Sequence, residues 1–207
     1  MRINTGRAKG RRLRSVPGNL TRPVTDRVKQ AVFNILGDDV RGSSWLDLFA
    51  GTGAIGIEAL SRGAAHSTFL DIEPLAIKTI RQNLAVTQLE AGATVIRQDA
   101  FQFLRAPANA RYDFIYVAPP QYQGLWERAV AAIDSNPDWL ADGGAVIVQI
   151  HPREYHELTL QTLELVDRRR YGATMLCFYE RRSEFSSAVD DTRLDEENEG
   201  SDLIGVE

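Results

Sequence analysis

The run Trp45-Leu46-Asp47-Leu48-Phe49-Ala50-Gly51-Thr52-Gly53-Ala54-Ile55-Gly56-Ile57-Glu58-Ala59-Leu60 constrains the fold more than any other stretch of this chain. An apolar segment runs into a tight glycine turn, and a second apolar segment runs out of it. The residues before Gly51 suit a strand in a sheet covered on both faces, since such strands read as nearly continuous apolar runs. Gly51 and Gly53 let the backbone approach a ligand where a side chain would stand in the way. Ile55, Ile57, Ala59 and Leu60 open an apolar helical face. In doubly wound α/β folds, the turn between the first strand and the first helix is where nucleotide-like ligands sit.

The spacing also narrows the ligand. Gly51, Gly53 and Gly56 match G-x-G-x-x-G, the pattern of a loop that grips a pyrophosphate. Such loops usually lack an acid four positions before the first glycine, and here Asp47 stands there. A carboxylate at that point repels phosphate and attracts a cation. S-adenosylmethionine carries an α-ammonium and a sulfonium and no phosphate. The D-x-F-x-G-x-G form resembles motif I of class I methyltransferases, which puts Asp47, Phe49, Gly51, Thr52 and Gly53 at the cofactor. The plainer reading is a strand-turn-helix corner in which Asp47 caps the helix.

The rest of the chain alternates in the same way. Thr25 to Leu36 reads as an amphipathic helix with Val28, Ala31, Val32, Ile35 and Leu36 on one face and Thr25 as N-cap. Strand one ends near Phe49, and a helix follows to about Arg62. Ser67–Asp71, Ala93–Arg97, Tyr112–Val117 and Gly144–Ile150 read as the next strands. Between them lie helices from Pro74 to about Val86, Ala100 to Leu104, and Leu125 to about Ser135, the first with proline in its opening turn. Leu163–Tyr171 and Ala173–Glu180 close the pattern as a hairpin turning at Gly172. The expected fold is α/β: a Rossmann-like, doubly wound class I methyltransferase sheet, mostly parallel, with an antiparallel C-terminal hairpin.

Two further strand-end acids fit the same cofactor. Asp71 can accept hydrogen bonds from a ribose diol, with Ile72 beside it and Glu73 as a competitor for the role. Asp99 can accept from an adenine amine while the Ala100 N–H donates to a ring nitrogen. Each acid alone is weak, because strand ends often carry Asp as a helix cap. Three of them at successive strand ends after a glycine turn carry much more weight.

Composition bounds the partners. A chain of 207 residues, 43% hydrophobic, suits one domain with attachments. The single cysteine, Cys177, excludes an internal disulfide and a Cys-based zinc cage, and its apolar surroundings mark a core thiol. His66, His151 and His156 have no metal-ligand spacing, so no metal is expected. No apolar stretch approaches the ~20 residues of a membrane span, and the N-terminus is too basic for a secretory signal. A cytoplasmic monomer with no membrane partner is expected.

The net charge of −4 hides a polarity along the chain. The first thirty residues carry Arg2, Arg7, Lys9, Arg11, Arg12, Arg14, Arg22, Arg27 and Lys29 against one acid, Asp26. That is a footprint for a phosphate backbone, with Arg7, Lys9, Arg11, Arg12, Arg14, Arg22 and Arg27 as candidate RNA contacts. The alternative is a solvated, flexible arm without a partner. Asp190, Asp191, Asp195, Glu196, Glu197, Glu199, Asp202 and Glu207 make the other end an acidic tail, expected to be disordered and solubilising. The expected organisation is a basic RNA-contacting segment over 1–24, a methyltransferase domain over 25–182 and the tail over 183–207.

The stretch from Gly18 to Leu36, Gly18-Asn19-Leu20-Thr21-Arg22-Pro23-Val24-Thr25-Asp26-Arg27-Val28-Lys29-Gln30-Ala31-Val32-Phe33-Asn34-Ile35-Leu36, resembles the opening signature of the RsmD-like family. Asp47 to Gly53 and Glu58-Ala59-Leu60-Ser61-Arg62-Gly63-Ala64 resemble that family too, and the likeness runs from about Gly6 to Arg181. It implies S-adenosylmethionine as methyl donor and a guanine N2 amine of 16S rRNA in the small ribosomal subunit as acceptor. It also implies that the basic N-terminal segment engages RNA.

The chain departs from the family at the catalytic motif. The family carries Asp or Asn, then Pro-Pro-Tyr or Pro-Pro-Phe, after the fourth strand. Here the segment reads Ala118-Pro119-Pro120-Gln121-Tyr122. An exocyclic amine has its lone pair delocalised into the ring. A side-chain oxygen and the first proline's carbonyl draw it toward tetrahedral geometry by accepting its hydrogens. Ala118 removes one acceptor, while the Pro119 carbonyl and a stacking Tyr122 remain.

Three readings follow from that change. The enzyme methylates with Pro119 and Gln121 Oε1 as acceptors; or it acts on another amine, such as adenine N6; or it binds cofactor and RNA as an assembly factor without efficient chemistry. Glu58 and Arg62 read as helix-surface residues, and Trp126 and Trp139 as packing residues.

Overall fold

In a computed structural model the described residues are 1–18 and 25–183. Seven strands, β1 (Ser44–Asp47), β2 (His66–Asp71), β3 (Ala93–Arg97), β4 (Tyr112–Val117), β5 (Leu140–Ile150), β6 (Leu163–Tyr171) and β7 (Thr174–Arg181), form one sheet. The helices are α1 (Asp26–Leu36), α2 (Ala54–Ser61), α3 (Pro74–Thr87), α4 (Ala100–Arg105) and α5 (Leu125–Ser135). The strand order is β3-β2-β1-β4-β5-β7-β6. β1 to β5 are parallel, and β7 lies antiparallel between β5 and β6. This is the class I methyltransferase sheet. Its strand order reverses between β1 and β4, so the crevice beyond their C-terminal ends is where such a sheet takes a ligand.

The alternation within strands explains the two layers. Trp45, Phe69, Phe114, Tyr116, Ile147 and Leu176 face a core built with α1, α2 and α3. Leu46, Leu48, Leu70, Ile115, Val146 and Cys177 face the core built with α4 and α5. Successive side chains of a strand point to opposite faces, and both faces are covered, so these strands are apolar throughout. Trp126 and Trp139 are buried in the second layer, and Cys177 is fully enclosed there.

Several element bounds differ from the sequence reading by one or two residues, β1 ending at Asp47 and not near Phe49, and two differences are larger: the start of β5 and the buried face of α1. β5 begins at Leu140, four residues before the expected Gly144, and its register against β4 slips between Tyr112 and Phe114. The buried stripe of α1 is Val28, Lys29, Val32, Phe33 and Leu36, whereas Ala31 and Ile35 are only half-buried. The helix is turned toward Lys29 because that ammonium meets the Glu58 carboxylate at 2.8 Å with both side chains fully enclosed.

Glu58 is therefore no surface residue. Its Oε2 accepts from the Asn4 N–H at 2.8 Å, and its Oε1 from the Thr5 N–H and Arg62 Nε, each at 3.0 Å. A buried carboxylate is tolerable when its lone pairs are filled in this way. Two of the groups that fill them, the Asn4 and Thr5 N–H groups, come from the N-terminal segment. Its described part does not stand apart from the domain: Ile3, Ala8, Leu13 and Val16 are buried, and Arg2 pairs with Arg12 in an antiparallel bridge. Arg7 N–H donates to the Ser61 carbonyl at 2.8 Å, and Ala8 N–H to Ser61 Oγ at 3.0 Å. Gly6 has φ +84, and a Cβ there would lie 1.8 Å from the Ser61 oxygen, so only glycine lets the segment close on α2. The acidic tail, from residue 184 on, lies outside the described residues.

Candidate active site

The expected cofactor residues converge at the C-terminal ends of β1, β2 and β3. Asp47 ends β1 and is buried at 2% exposure, near the Gly56 N–H in the first turn of α2. Burial raises the Asp47 pKa from 3.8 to about 7, the Gly56 N–H opposes the rise, and the nearby Asp71 charge adds to it. Among the described residues no cationic side chain pairs with it. Tyr116, alongside on β4, is held well above the ordinary phenol range by burial and then by the Asp47 charge, and its hydroxyl donates to Gln149 Oε1 at 2.6 Å.

The glycine loop is short and pinned. Gly53 caps α2 in the left-handed region at φ +75. Gly51 N–H donates to Asp71 Oδ2 at 2.8 Å, and Glu73 N–H to Asp71 Oδ1 at 2.9 Å. Asp71 thus shapes the loop with one lone pair on each oxygen and has capacity for further donors. Gly56 serves packing instead: a Cβ there would lie 2.4 Å from the Phe69 ring and the Ser67 hydroxyl. The third glycine of the apparent pyrophosphate pattern is thereby explained by α2 lying tight on β2. Thr52 is buried and Phe49 half-buried, its ring edge-on to Phe101 at 6.3 Å.

Ile72 is 55% exposed, unusual for an isoleucine, and forms one wall of a groove with Arg97, Gln98, Asp99, Gln102 and Arg105. Asp99 caps α4 by accepting the Gln102 N–H on Oδ1 at 2.8 Å, and buried Ala100 follows. A second depression, touching Asp39, Arg41, Asp113 and Phe178, opens at the opposite end of the sheet from these loops.

The loop after β4 carries the altered motif. Ala118 is half-buried against the first core, Pro119 is buried, and Pro120 is exposed. Gln121 is half-buried, and Tyr122 is 64% exposed with φ +61. A bulky residue in the left-handed region is strained and persists only when its surroundings hold it there. The holder is Glu154, in the loop after β5. Its Oε1 accepts the Tyr122 N–H at 2.6 Å and its Oε2 the His151 N–H at 3.2 Å, with the Tyr122 and His151 rings 5.6 Å apart. Sequence reasoning missed Glu154, because no local pattern links it to a residue thirty-two positions earlier.

It also missed Asn83. This fully buried amide accepts the Arg14 N–H at 2.7 Å and donates to the Arg14 carbonyl at 3.1 Å and the Thr52 carbonyl at 2.9 Å. One side chain thereby joins the N-terminal segment to the glycine loop. An Asn in the body of a helix, where it is a poor helix former, is the signal that could have marked it.

The candidate RNA residues divide by what they already hold. Arg11 donates to the Val86 carbonyl and to Gln88 Oε1 at the end of α3, and Arg7 reaches the Leu60 carbonyl at 3.4 Å. Lys9, Arg12, Arg14 and Arg27 are exposed, and Arg22 lies outside the described residues. Among the described residues, no three His, Cys, Asp or Glu side chains are placed to hold a metal ion, and no helix is long and apolar enough to cross a membrane.

Comparison with known proteins agrees with this fold. A family model described as conserved hypothetical protein 95 matches residues 1–180. YlbH of Bacillus subtilis (strain 168), a candidate rRNA methyltransferase, is 40% identical over 186 residues, which cover 88% of this chain and 100% of that protein. Ribosomal RNA small subunit methyltransferase D of Escherichia coli (strain K12) is 37% identical over 150 residues, covering 72% of this chain and 74% of that protein. Among solved structures, yhhF of Escherichia coli, a candidate methyltransferase, matches with a TM-score of 0.78 at 31% identity, over 87% of this chain and 97% of that one. The chain belongs to the conserved hypothetical protein 95 family, the RsmD-like methyltransferases.

Proposed function

We propose that this chain transfers a methyl group from S-adenosylmethionine to an exocyclic base amine of RNA, with guanine N2 of 16S rRNA in the small ribosomal subunit as the acceptor. The observation that carries the reading is Asp47, a buried carboxylate left without a cationic partner beside a pinned glycine loop. A ligand ammonium would supply the missing charge, and phosphate would not. The remaining residues fit the same molecule. Gly51, Thr52 and Gly53 give close backbone approach, Asp71 keeps acceptor capacity for a ribose diol, Ile72 offers an apolar shelf, and Asp99 with Ala100 stands where an adenine edge would end. Bound there, the sulfonium supplies an activated methyl group.

The protein's own contribution is position. Tyr122 presents its ring to an extruded base, and the Pro119 carbonyl accepts one amine hydrogen. Gln121 Oε1 takes the second hydrogen in place of the acceptor that Ala118 lacks. Lys9, Arg12, Arg14, Arg22 and Arg27 contribute phosphate contacts, and Arg7 and Arg11 do so while bracing the fold. The Ala118 observation favours one second reading, a cofactor- and RNA-binding assembly factor without efficient chemistry.

A tritium-methyl transfer assay on small subunits lacking the mark separates these readings, provided the labelled nucleoside is identified. N2-methylguanosine supports the proposal. N6-methyladenosine moves the acceptor, and absence of label with intact cofactor binding leaves the assembly role.

A further inference from the structure

The edge strand β6 ends in Arg168-Arg169-Arg170, all exposed, and the register fixes where that end lies. β5 runs parallel to β4, Ile150 at the end of β5 pairs with Met175 of β7, and Met175 pairs with Arg170 of β6. The arginines therefore sit at the same end of the sheet as Ala118 to Tyr122. β6 is three strand spacings from β4, or about 14 Å at ~4.8 Å per step. The N-terminal segment packs along α2 and α3, on the β1–β2 side of the sheet, from the Ser61 end of α2 to Asn83, which bonds both Arg14 and the Thr52 carbonyl of the glycine loop. Exposed Arg153, in the loop that holds Tyr122, lies between.

We propose that Arg153, Arg168, Arg169 and Arg170, with Arg168 and Arg170 on one face of the edge strand and Arg169 on the other, wrap the sheet edge as a second phosphate-binding surface, which grips RNA on the far side of the acceptor base from the N-terminal segment. The proposal rests on the RNA reading above and adds a second contact face to it. The arginines are ordered in advance: the Arg168 guanidinium lies 4.4 Å over the Tyr155 ring, which stacks on Trp126. Arg169 Nε meets Asp167 at 2.7 Å, and Arg170 Nε donates to the Gly172 carbonyl at 3.1 Å.

Charged edge strands also serve to prevent edge-to-edge pairing. That role does not account for the distribution here. The apolar positions in need of a guard, Leu165 and Val166, are 38% and 47% exposed in the first half of β6, next to Glu164 and Asp167. The arginines are all gathered at the acceptor end.

The test is the salt dependence of binding to a mixed-sequence single-stranded RNA oligonucleotide. It compares the wild type with an Arg153→Gln/Arg169→Gln/Arg170→Gln variant and with an Arg12→Gln/Arg14→Gln variant. Arg168 is left in place because it covers the Tyr155 ring. Each phosphate contact contributes about 0.7 to the slope of log affinity against log salt, so the first variant should flatten it by about 2. S-adenosylhomocysteine affinity and thermal midpoint should be unchanged. A slope equal to wild type in the first variant, with a flatter one in the second, overturns the second surface and leaves RNA binding standing. A wild type with no salt-dependent RNA binding overturns both.

Discussion

The two halves of the crevice are built by different means. The cofactor half is local and enclosed: Asp47, the glycine loop and α2 follow one another in sequence, and Asp71 and Asn83 pin the loop from the side. The acceptor half is exposed and assembled from distant loops, with Tyr122 strained at φ +61 and held by Glu154. The cofactor half is part of what folds the domain, because its residues continue into both cores. The acceptor half contributes little to either core beyond Ala118 and Pro119. A substitution at Ala118 should therefore fall on chemistry and spare the fold.

That contrast can be broken most directly at Asp47. Its pKa is raised by burial, so the folded state holds a proton that the unfolded chain has lost between pH 3.8 and about 7. The associated stability is full below pH 3.8, declines as pH rises, and is gone above about 7. Asp47→Asn, which removes the ionisable group, should raise stability at pH 8 by about 3–4 kcal/mol while abolishing cofactor binding, as read by urea unfolding and calorimetry. Equal or lower stability of the variant would mean that the charge is already compensated.

Asp71→Ala should weaken S-adenosylhomocysteine binding by roughly 1.5–3 kcal/mol, the scale of lost charge-assisted hydrogen bonds. The effect includes release of the Gly51 N–H, so the variant should also show faster amide exchange in the loop. Unchanged affinity in calorimetry would remove Asp71 from the ligand.

In the acceptor half the effects should separate from binding. Ala118→Asp should change the single-turnover rate by about tenfold, about 1.4 kcal/mol in the barrier, and leave cofactor affinity unaltered. Gln121→Ala should slow the wild type further if Gln121 replaces the acceptor. If both leave the rate of an active enzyme untouched, the amine is held elsewhere. Tyr122→Gly should relieve the backbone strain, stabilising the protein by about 1 kcal/mol in thermal unfolding while lowering methyl transfer. A loss of stability there would show that the ring packs rather than presents itself.

Much of the fold was legible because its signals are local. Asp47-to-Gly53 fixes a strand-turn-helix unit, and Ala93–Arg97 and Tyr112–Val117 fall where the apolar runs place them. What escaped is nonlocal and polar. Lys29 reads as one more member of a basic segment, yet its partner is Glu58, which reads as a helix-surface acid. Neither charge reveals from sequence that it will be buried, because burial depends on the N-terminal segment closing over both. For the same reason a truncation of the first sixteen residues is no clean test of RNA binding: it strips the Asn4 and Thr5 N–H groups from Glu58 and unpins Asn83 from Arg14. The positions of Asp47, Asp71 and Asp99 at the ends of successive strands were legible, and the latch by Glu154 was not.

The central claim, that a buried carboxylate waits for a cationic ligand, is tested most directly by measuring S-adenosylhomocysteine affinity between pH 5.5 and pH 7.5 in two buffers of different ionisation enthalpy. With the Asp47 pKa near 7, binding at the acidic end must expel its proton. Affinity should rise by up to about tenfold per pH unit and level off near pH 7, with close to one proton released per ligand at the acidic end. Asp47→Glu, if it binds, should keep the profile. A flat profile without proton release would contradict the claim and place the ligand's ammonium away from Asp47.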